Sequence, residues 1–520
     1  MKSTLAFLVS MLLIVGAFAA VQGADMKGDV RFGYIYLDET GNEGVYQPAY
    51  NLYEGAALSL ENFSYQFKEG TRVFGNLHNV TMNNRNMTAG VMKSRLYGLT
   101  LHNDQYRRQY SFDGDKFTRR RQSSGQAWVQ PTKWFRAYGG YGWTDKHGTS
   151  EDLYDQFGLV RTNQFDYRNK YYNGGVLLSY DRSRLKAEYR GSKFTDNLDA
   201  TNGRKSDRFR VSAVTPVPRY EQVVLRGGFE TYRWIATDHM DSLKANTLWG
   251  SAQWYFYKNY SFRYSILFDR ARRSTYDVAA TDNITNAFYL DRVWPGWGAV
   301  TVGYRYNLND DIYNALSANG YYIDGWVTPT DKWKFRAGLG IETEDISDGT
   351  VLTGARDYSR YHASARYKLP DGYVRFQWAG KKIDHDDIST RTEYNRIGGD
   401  ADYSLKKYGE IQISYDYLTG EYTNTDGIFR FNEHIVSGDI FPIEYRHVQV
   451  GAGGVYMRSK DDLDVESFQV RFSAAYRFME DHKVEVRYTA HNFDDLAAPN
   501  NPYTQYYTGN VVEVYVVKEL

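Results

Sequence analysis

From Trp333 to Glu342 the chain alternates in type at every residue. Trp333, Phe335, Ala337, Leu339 and Ile341 fall on one parity, and Lys334, Arg336, Gly338, Gly340 and Glu342 on the other. A repeat of two places successive side chains on opposite faces of a strand, so this stretch predicts a strand with one apolar and one charged face. The turn Thr328-Pro329-Thr330-Asp331 precedes it and a strand entering from Tyr321 completes a hairpin. The same unit recurs along the chain. Leu185, Ala187 and Tyr189 oppose Lys186, Glu188 and Arg190; Val223, Leu225 and Phe229 oppose Arg226 and Glu230; Phe262, Tyr264 and Ile266 oppose Arg263. Val374, Phe376 and Trp378 oppose Arg375 and Lys381, and Val484, Val486 and Tyr488 oppose Glu485 and Arg487.

Each unit opens on a tight turn, among them Gln130-Pro131-Thr132-Lys133, Asp181-Arg182, Lys258-Asn259, Pro370-Asp371-Gly372 and Glu480-Asp481-His482. Before and between units run longer polar segments such as Thr40 to Tyr53, Asp145 to Asp152, Thr195 to Asp207, Asn307 to Asn319, Glu342 to Tyr358, Gly420 to Gly427 and Asn492 to Tyr506, which read as loops. No helical layer is evident to cover the apolar faces, so they predict contact with lipid. Short turns at one end and long loops at the other are the asymmetry of an outer-membrane barrel. The expected fold is therefore all-β: a large single-chain antiparallel transmembrane β-barrel of roughly 24–26 strands. Trp134, Trp326, Trp333 and Tyr373 sit beside the tight turns and are expected in the aromatic girdle at the inner membrane–water boundary. A turn spacing near 40 residues also suits a β-propeller, but propeller blades would have to bury the charged parity.

Composition agrees with strands. The chain has 48 Tyr, 27 Phe and 11 Trp, with 46 Gly against 10 Pro. A mean hydropathy of −0.62 fits a barrel, in which only alternate residues over part of each strand meet lipid. Lys2 followed by the apolar run Leu5 to Ala20 has the form of a secretory signal peptide, predicting a leader over residues 1–23 and a barrel over 24–520 in the bacterial outer membrane. A net charge of zero predicts no nucleic-acid partner.

Candidate chemistry is sparse. With no cysteine, disulfides, thiolate metal sites and covalent haem attachment are excluded. The ten histidines are scattered, and no nucleophile motif appears, so an enzyme is not expected. Asp384-His385-Asp386-Asp387 and Asn424-Thr425-Asp426-Gly427 could offer oxygen ligands but read better as solvated loops, and no metal is expected. Arg107-Arg108 and Arg119-Arg120-Arg121 read as lumen or loop charges, with an anionic partner as the alternative. The expected lumen lining, Lys186, Glu188, Arg190, Arg226, Glu230, Arg263, Lys334, Arg336, Arg375, Lys381 and Arg487, mixes both signs. That suits a wide aqueous channel or a barrel filled by another protein.

The segment Asn76 to Tyr110 and returning strands of the form Leu185-Lys186-Ala187-Glu188-Tyr189-Arg190 resemble the MtrB/PioB outer-membrane barrels that sheathe multihaem c-type cytochromes. The Cys-x-x-Cys of some members of that family is absent. The resemblance implies a barrel that positions such a cytochrome in its lumen for extracellular electron transfer and binds no cofactor itself, the haem belonging to the partner. The alternative reading is a general-diffusion or substrate-specific porin.

Overall fold

The computed structural model of the chain describes residues 25–111, 114–152, 161–237, 241–273, 280–310, 314–349, 355–385, 389–425, 427–496 and 506–520. The segment expected as a signal peptide lies outside them. All the strands belong to one sheet of 26. In chain order they are β1 (Asp25–Gly41), β2 (Gly55–Gln66), β3 (Thr71–His78), β4 (Asn86–Lys93), β5 (Tyr97–Gln109), β6 (Phe117–Thr132), β7 (Phe135–Asp152), β8 (Arg161–Tyr180) and β9 (Ser183–Asp196). Then come β10 (Arg204–Val217), β11 (Tyr220–Ala236), β12 (Ser242–Tyr257), β13 (Tyr260–Arg273), β14 (Ala280–Trp294), β15 (Gly298–Asp310), β16 (Asn314–Val327), β17 (Trp333–Gly349) and β18 (Asp357–Leu369). The last are β19 (Gly372–His385), β20 (Thr390–Ser404), β21 (Glu410–Asn424), β22 (Gly427–Tyr445), β23 (Val448–Asp461), β24 (Val465–Met479), β25 (His482–Asp495) and β26 (Tyr506–Glu519).

Each strand pairs antiparallel with the next, and β26 returns to β1 from Asp29↔Glu519 to Gly41↔Tyr507. The sheet is thus a closed up-and-down barrel with no edge left to satisfy, which lipid requires of strands. With strands about 4.8 Å apart and tilted about 40°, a ring of 26 corresponds to a diameter of roughly 50 Å between backbones. A propeller or sandwich array is ruled out by this single closed sheet.

Directly paired residues share a face, so one parity can be followed around the wall. Phe32, Leu185, Phe229, Ile266, Ile323, Leu339, Phe376, Ile413, Phe472 and Val514 are all large, apolar and exposed, and they mark the exterior. Cross-strand partners on that face are themselves apolar, as in Phe262↔Leu290 and Ile323↔Leu339. The other parity carries the charges, with small residues and inward rings such as Tyr138 and Tyr322 among them, and faces the lumen.

Several segments expected as loops are strand. β7 continues to Asp152, β16 begins at Asn314, β17 continues to Gly349 and β21 to Asn424. Apart from the apolar pair Leu316↔Ile346, these extensions are largely polar because they project past the hydrocarbon, where backbone pairing persists but an apolar face is no longer required.

One loop is built into the wall. β3 and β4 have 8 residues each, against 17 in β1 and 13 in β5, which leaves a notch in the outer part of the barrel. Residues 42–54, carrying the 3-10 turn Gln47–Asn51, fill it as a strap. At one end Tyr46 packs on Tyr507, Phe493 and His491 with ring centroids 5.6, 5.9 and 5.7 Å away. At the other, the Arg107 guanidinium donates to the carbonyls of Tyr50 (3.0 Å) and Leu52 (2.8 Å) and lies 4.3 Å from the Tyr53 ring. Between these ends Leu52 and Tyr53 pack on a buried cluster of Ile35, Ala57, Met82, Val511 and Tyr515.

Candidate functional site: the lumen wall

The register assigns every candidate to a face. Lys186, Glu188 and Arg190 lie opposite Ser212, Arg210 and Arg208 of β10, and Arg210 and Val214 in turn lie opposite Glu230 and Arg226 of β11. Arg226 meets Ser251, and Gln253 on the same parity meets Arg263. Arg336 lies opposite Trp326, Lys334 opposite Arg366, Arg366 opposite Arg375, and Arg360 opposite Lys381. Arg487 meets Glu513. All of these point away from the exposed apolar residues, into the lumen.

Two of the expected girdle aromatics do not face lipid. On β16 the exterior parity is Tyr321, Ile323 and Val327, so Trp326 alternates inward, where Lys334 Nζ sits 5.0 Å from its ring. Tyr373 shares the parity of Arg375 and carries the Arg366 guanidinium 3.9 Å over its face. Proximity to a turn suggested the girdle, but strand parity overrides it. Trp333 is on the exterior, stacked on Phe335 at 5.4 Å, and Trp134 is exposed at the turn between β6 and β7.

The lumen charges are organised into local groups. Glu188, nearly buried, accepts from Lys186 Nζ (2.7 Å), Arg190 Nε (2.5 Å) and the Tyr138 hydroxyl (2.5 Å). Glu230 pairs with Arg208 at 2.6 Å. Glu342 takes the Arg305 guanidinium and the Tyr322 hydroxyl, the latter at 2.8 Å. Asp324 is shared by Arg336 (3.3 Å) and His362 (2.9 Å). At the closing seam Arg31 bridges Glu61 and Glu485, both at 3.0 Å, and Glu485 also holds Arg487 at 2.7 Å.

The distribution is uneven around the ring. On β17 to β19, Lys334, Arg366 and Arg375 form one row of directly opposed cations, and Arg360 and Lys381 form part of another. Like charges placed opposite on a sheet face destabilise it. Only Arg375 of this set has a carboxylate partner among the described residues, Asp400 at 2.7 Å; Lys334, Arg360 and Arg366 lie against aromatic rings. The adjoining wall reverses sign: Asp400, Asp402, Asp416 and Asp439 of β20 to β22 share the lumen parity. Arg360, Arg366 and Asp400 were not among the sequence candidates. Period two continued through Tyr358 to Leu369 would have found the first two, since Tyr361, Ala363, Ala365 and Tyr367 alternate with them.

Such a surface can bind and orient charged groups. Among the described residues no three His, Asp or Glu side chains gather as a metal site. Asp386, Asp387 and Asp426, which belonged to the two weak cation candidates, lie outside those residues.

A closed antiparallel barrel of this size, apolar outside and charged inside, is a large outer-membrane β-barrel. No protein-family model matches the chain, and no curated protein matches it. Among solved structures it is similar to the siderophore receptor PirA from Pseudomonas aeruginosa (TM-score 0.52, 10% identity, 82% of this chain and 80% of that one). It is also similar to the FrpB iron transporter from Neisseria meningitidis in its apoprotein form (0.51, 9%, 82% and 81%) and to the copper transporter OprC (0.50, 11%, 95% and 80%). At these identities the likeness is one of fold.

Proposed function

We propose that this barrel sheathes a folded partner in its lumen, a multihaem c-type cytochrome, and aligns it across the outer membrane for electron transfer. The observation that carries this reading is the width of the ring. Barrels of 16–18 strands already leave an aqueous channel, and a 26-strand ring has room for a domain of about 100 residues, whose radius of gyration is about 13 Å. A lining in which a basic wall on β17 to β19 adjoins an acidic wall on β20 to β22 suits a protein surface of complementary charge, which it would orient in one rotation about the barrel axis. The role of this chain is then insulation and alignment; electrons would pass along the partner's haems.

The fold comparisons lean towards a second reading, substrate-specific transport, because the similar structures are a siderophore receptor, an iron transporter and a copper transporter. Purification from its own cells in mild detergent separates the two. The sheath reading expects a stoichiometric haem absorbance that co-elutes with the barrel, and little ion conductance in planar bilayers until the partner is stripped off. A colourless barrel that conducts freely as isolated overturns the sheath and leaves transport standing.

A further inference from the structure

A second charged surface lies on the outside of the barrel. Above the apolar band, at the end that carries the long loops, the exterior parity becomes basic from β6 to β13. Lys170 lies directly opposite Lys193, and Lys193 opposite Lys205, which is itself paired with Asp207 at 3.3 Å. On the next strand Arg233 lies between Asp207 and Lys244, and Lys244 lies opposite Arg272. These cations share their face with Tyr189, Phe209, Phe229, Leu248 and Ile266, all exposed to the membrane side. From β14 on the same level turns acidic, with Asp282, which also pairs with Arg270 at 3.2 Å, opposite Asp310, Asp357 opposite Asp384 and Glu393 opposite Glu421.

The basic arc begins at a groove. A cavity of about 760 Å³ on β5 to β8 has Leu101, Tyr141 and Trp143 along its lower part and Arg85, Arg121, Arg168 and Lys170 above. Gly125 adds no side chain to its lining. Two of the arginines are steadied through their Nε atoms, Arg85 on Asn103 Oδ1 and Arg121 on Gln105 Oε1, both at 3.2 Å. Arg168 is paired with Asp145 at 2.5 Å. Burial, and after it crowding by Arg121 and Arg119, holds the Arg85 guanidinium below its usual value. An anion would relieve that crowding.

We infer that this groove and the basic arc beside it bind a phosphorylated acyl lipid of the outer leaflet. Its chain lies along Leu101, Tyr141 and Trp143, and its phosphates meet Arg121 and Lys170. Two features point to a lipid rather than to a soluble anion: the cations sit directly above an apolar surface, and the groove joins the two. Opposed ammonium and guanidinium groups are unfavourable neighbours in water but make a suitable bed for groups carrying two negative charges. The inference is independent of what the lumen carries, and it places the long-loop end outward.

The test uses the whole barrel in mild detergent, with a deep-rough lipopolysaccharide, the same lipid after phosphatase treatment, and inorganic phosphate as probes, read by native mass spectrometry. Wild type is expected to retain the phosphorylated lipid. Arg121→Gln with Lys170→Gln should weaken retention at least tenfold, as should phosphatase treatment, while Asp357→Asn on the acidic arc should leave it unchanged. Heat-modifiable gel mobility verifies that each variant is folded; should that pair fail to fold, Lys193→Gln with Lys205→Gln asks the same question one strand away. Equal retention by the folded basic-arc variant overturns the proposal. So does equal retention of the dephosphorylated lipid, or complete displacement by millimolar inorganic phosphate, which would reduce the groove to a simple anion site.

Discussion

Single side chains in this barrel have to satisfy two environments at once, and Glu188 shows how closely. It lies on the lumen parity, between Lys186 and Arg190 on its own strand, with the Tyr138 hydroxyl also donating to it. Hydrogen bonds to a charged group contribute more than neutral ones. Glu188→Gln leaves two cations facing each other across a neutral amide and is expected to lower stability by about 1–2 kcal/mol, measured as a shifted urea midpoint in micelles. Glu188→Asp, which keeps the charge but shortens the reach, should recover part of the loss. Trp326 and Tyr373 show the complementary economy, because each inward ring holds a cation, Lys334 or Arg366, that has no carboxylate partner among the described residues.

At the scale of elements, the strap 42–54 is held at its two ends by different means. Arg107→Ala removes the donor to the Tyr50 and Leu52 carbonyls and is expected to open the segment Gln47–Asn51 to proteases while the barrel stays folded, a cut that mass spectrometry locates. The Tyr46 end is sensitive to alkali. Burial raises the Tyr46 hydroxyl above its ordinary value of 10.0, so the neutral form is favoured in place. The stabilisation is whole below the ordinary value and is lost as pH rises through the raised one. The protection of residues 42–54 against hydrogen exchange, taken relative to the intrinsic rate at each pH, is therefore expected to fall at strongly alkaline pH, and Tyr46→Phe should abolish that fall. The strap itself was legible only as a loop from Thr40 to Tyr53, because its partners Arg107, Phe493 and Tyr507 are remote in sequence. Strand cores such as Trp333 to Ile341 were plain from alternation, which lipid imposes. Their outer extensions, such as Glu342 to Gly349, were not, because water on both faces imposes no pattern. The lumen parity could be read off each strand, but the grouping of Lys334, Arg366 and Arg375 into a row depends on register between strands. Nothing local to any one of those strands encodes it.

For the molecule as a whole, the adjoining basic and acidic quadrants of the lumen are the property most open to measurement. In an emptied barrel reconstituted in a planar bilayer, Lys334→Glu with Arg366→Glu is expected to move the reversal potential in a salt gradient towards cation preference by several millivolts. An unchanged potential would mean that this wall does not face the conducting path. Closure is the other global property. A Cβ on Gly33 would lie 2.0 Å from the Val514 carbonyl oxygen across the seam, so Gly33→Ala is expected to cut the yield of heat-resistant barrel without altering strand content by circular dichroism.

The pairing of Asp29 with Glu519 also dictates an order of events. Neighbouring hairpins close short loops, whereas this last ladder closes nearly the whole sequence, at an extra entropic cost of roughly 4 kcal/mol on logarithmic scaling. It therefore forms last, and until then the protein is a curved open sheet with β1 and β26 as bare edges. A synthetic peptide spanning Tyr507–Glu519 would compete for the β1 edge during that interval only, arresting assembly of new barrels while leaving finished ones untouched.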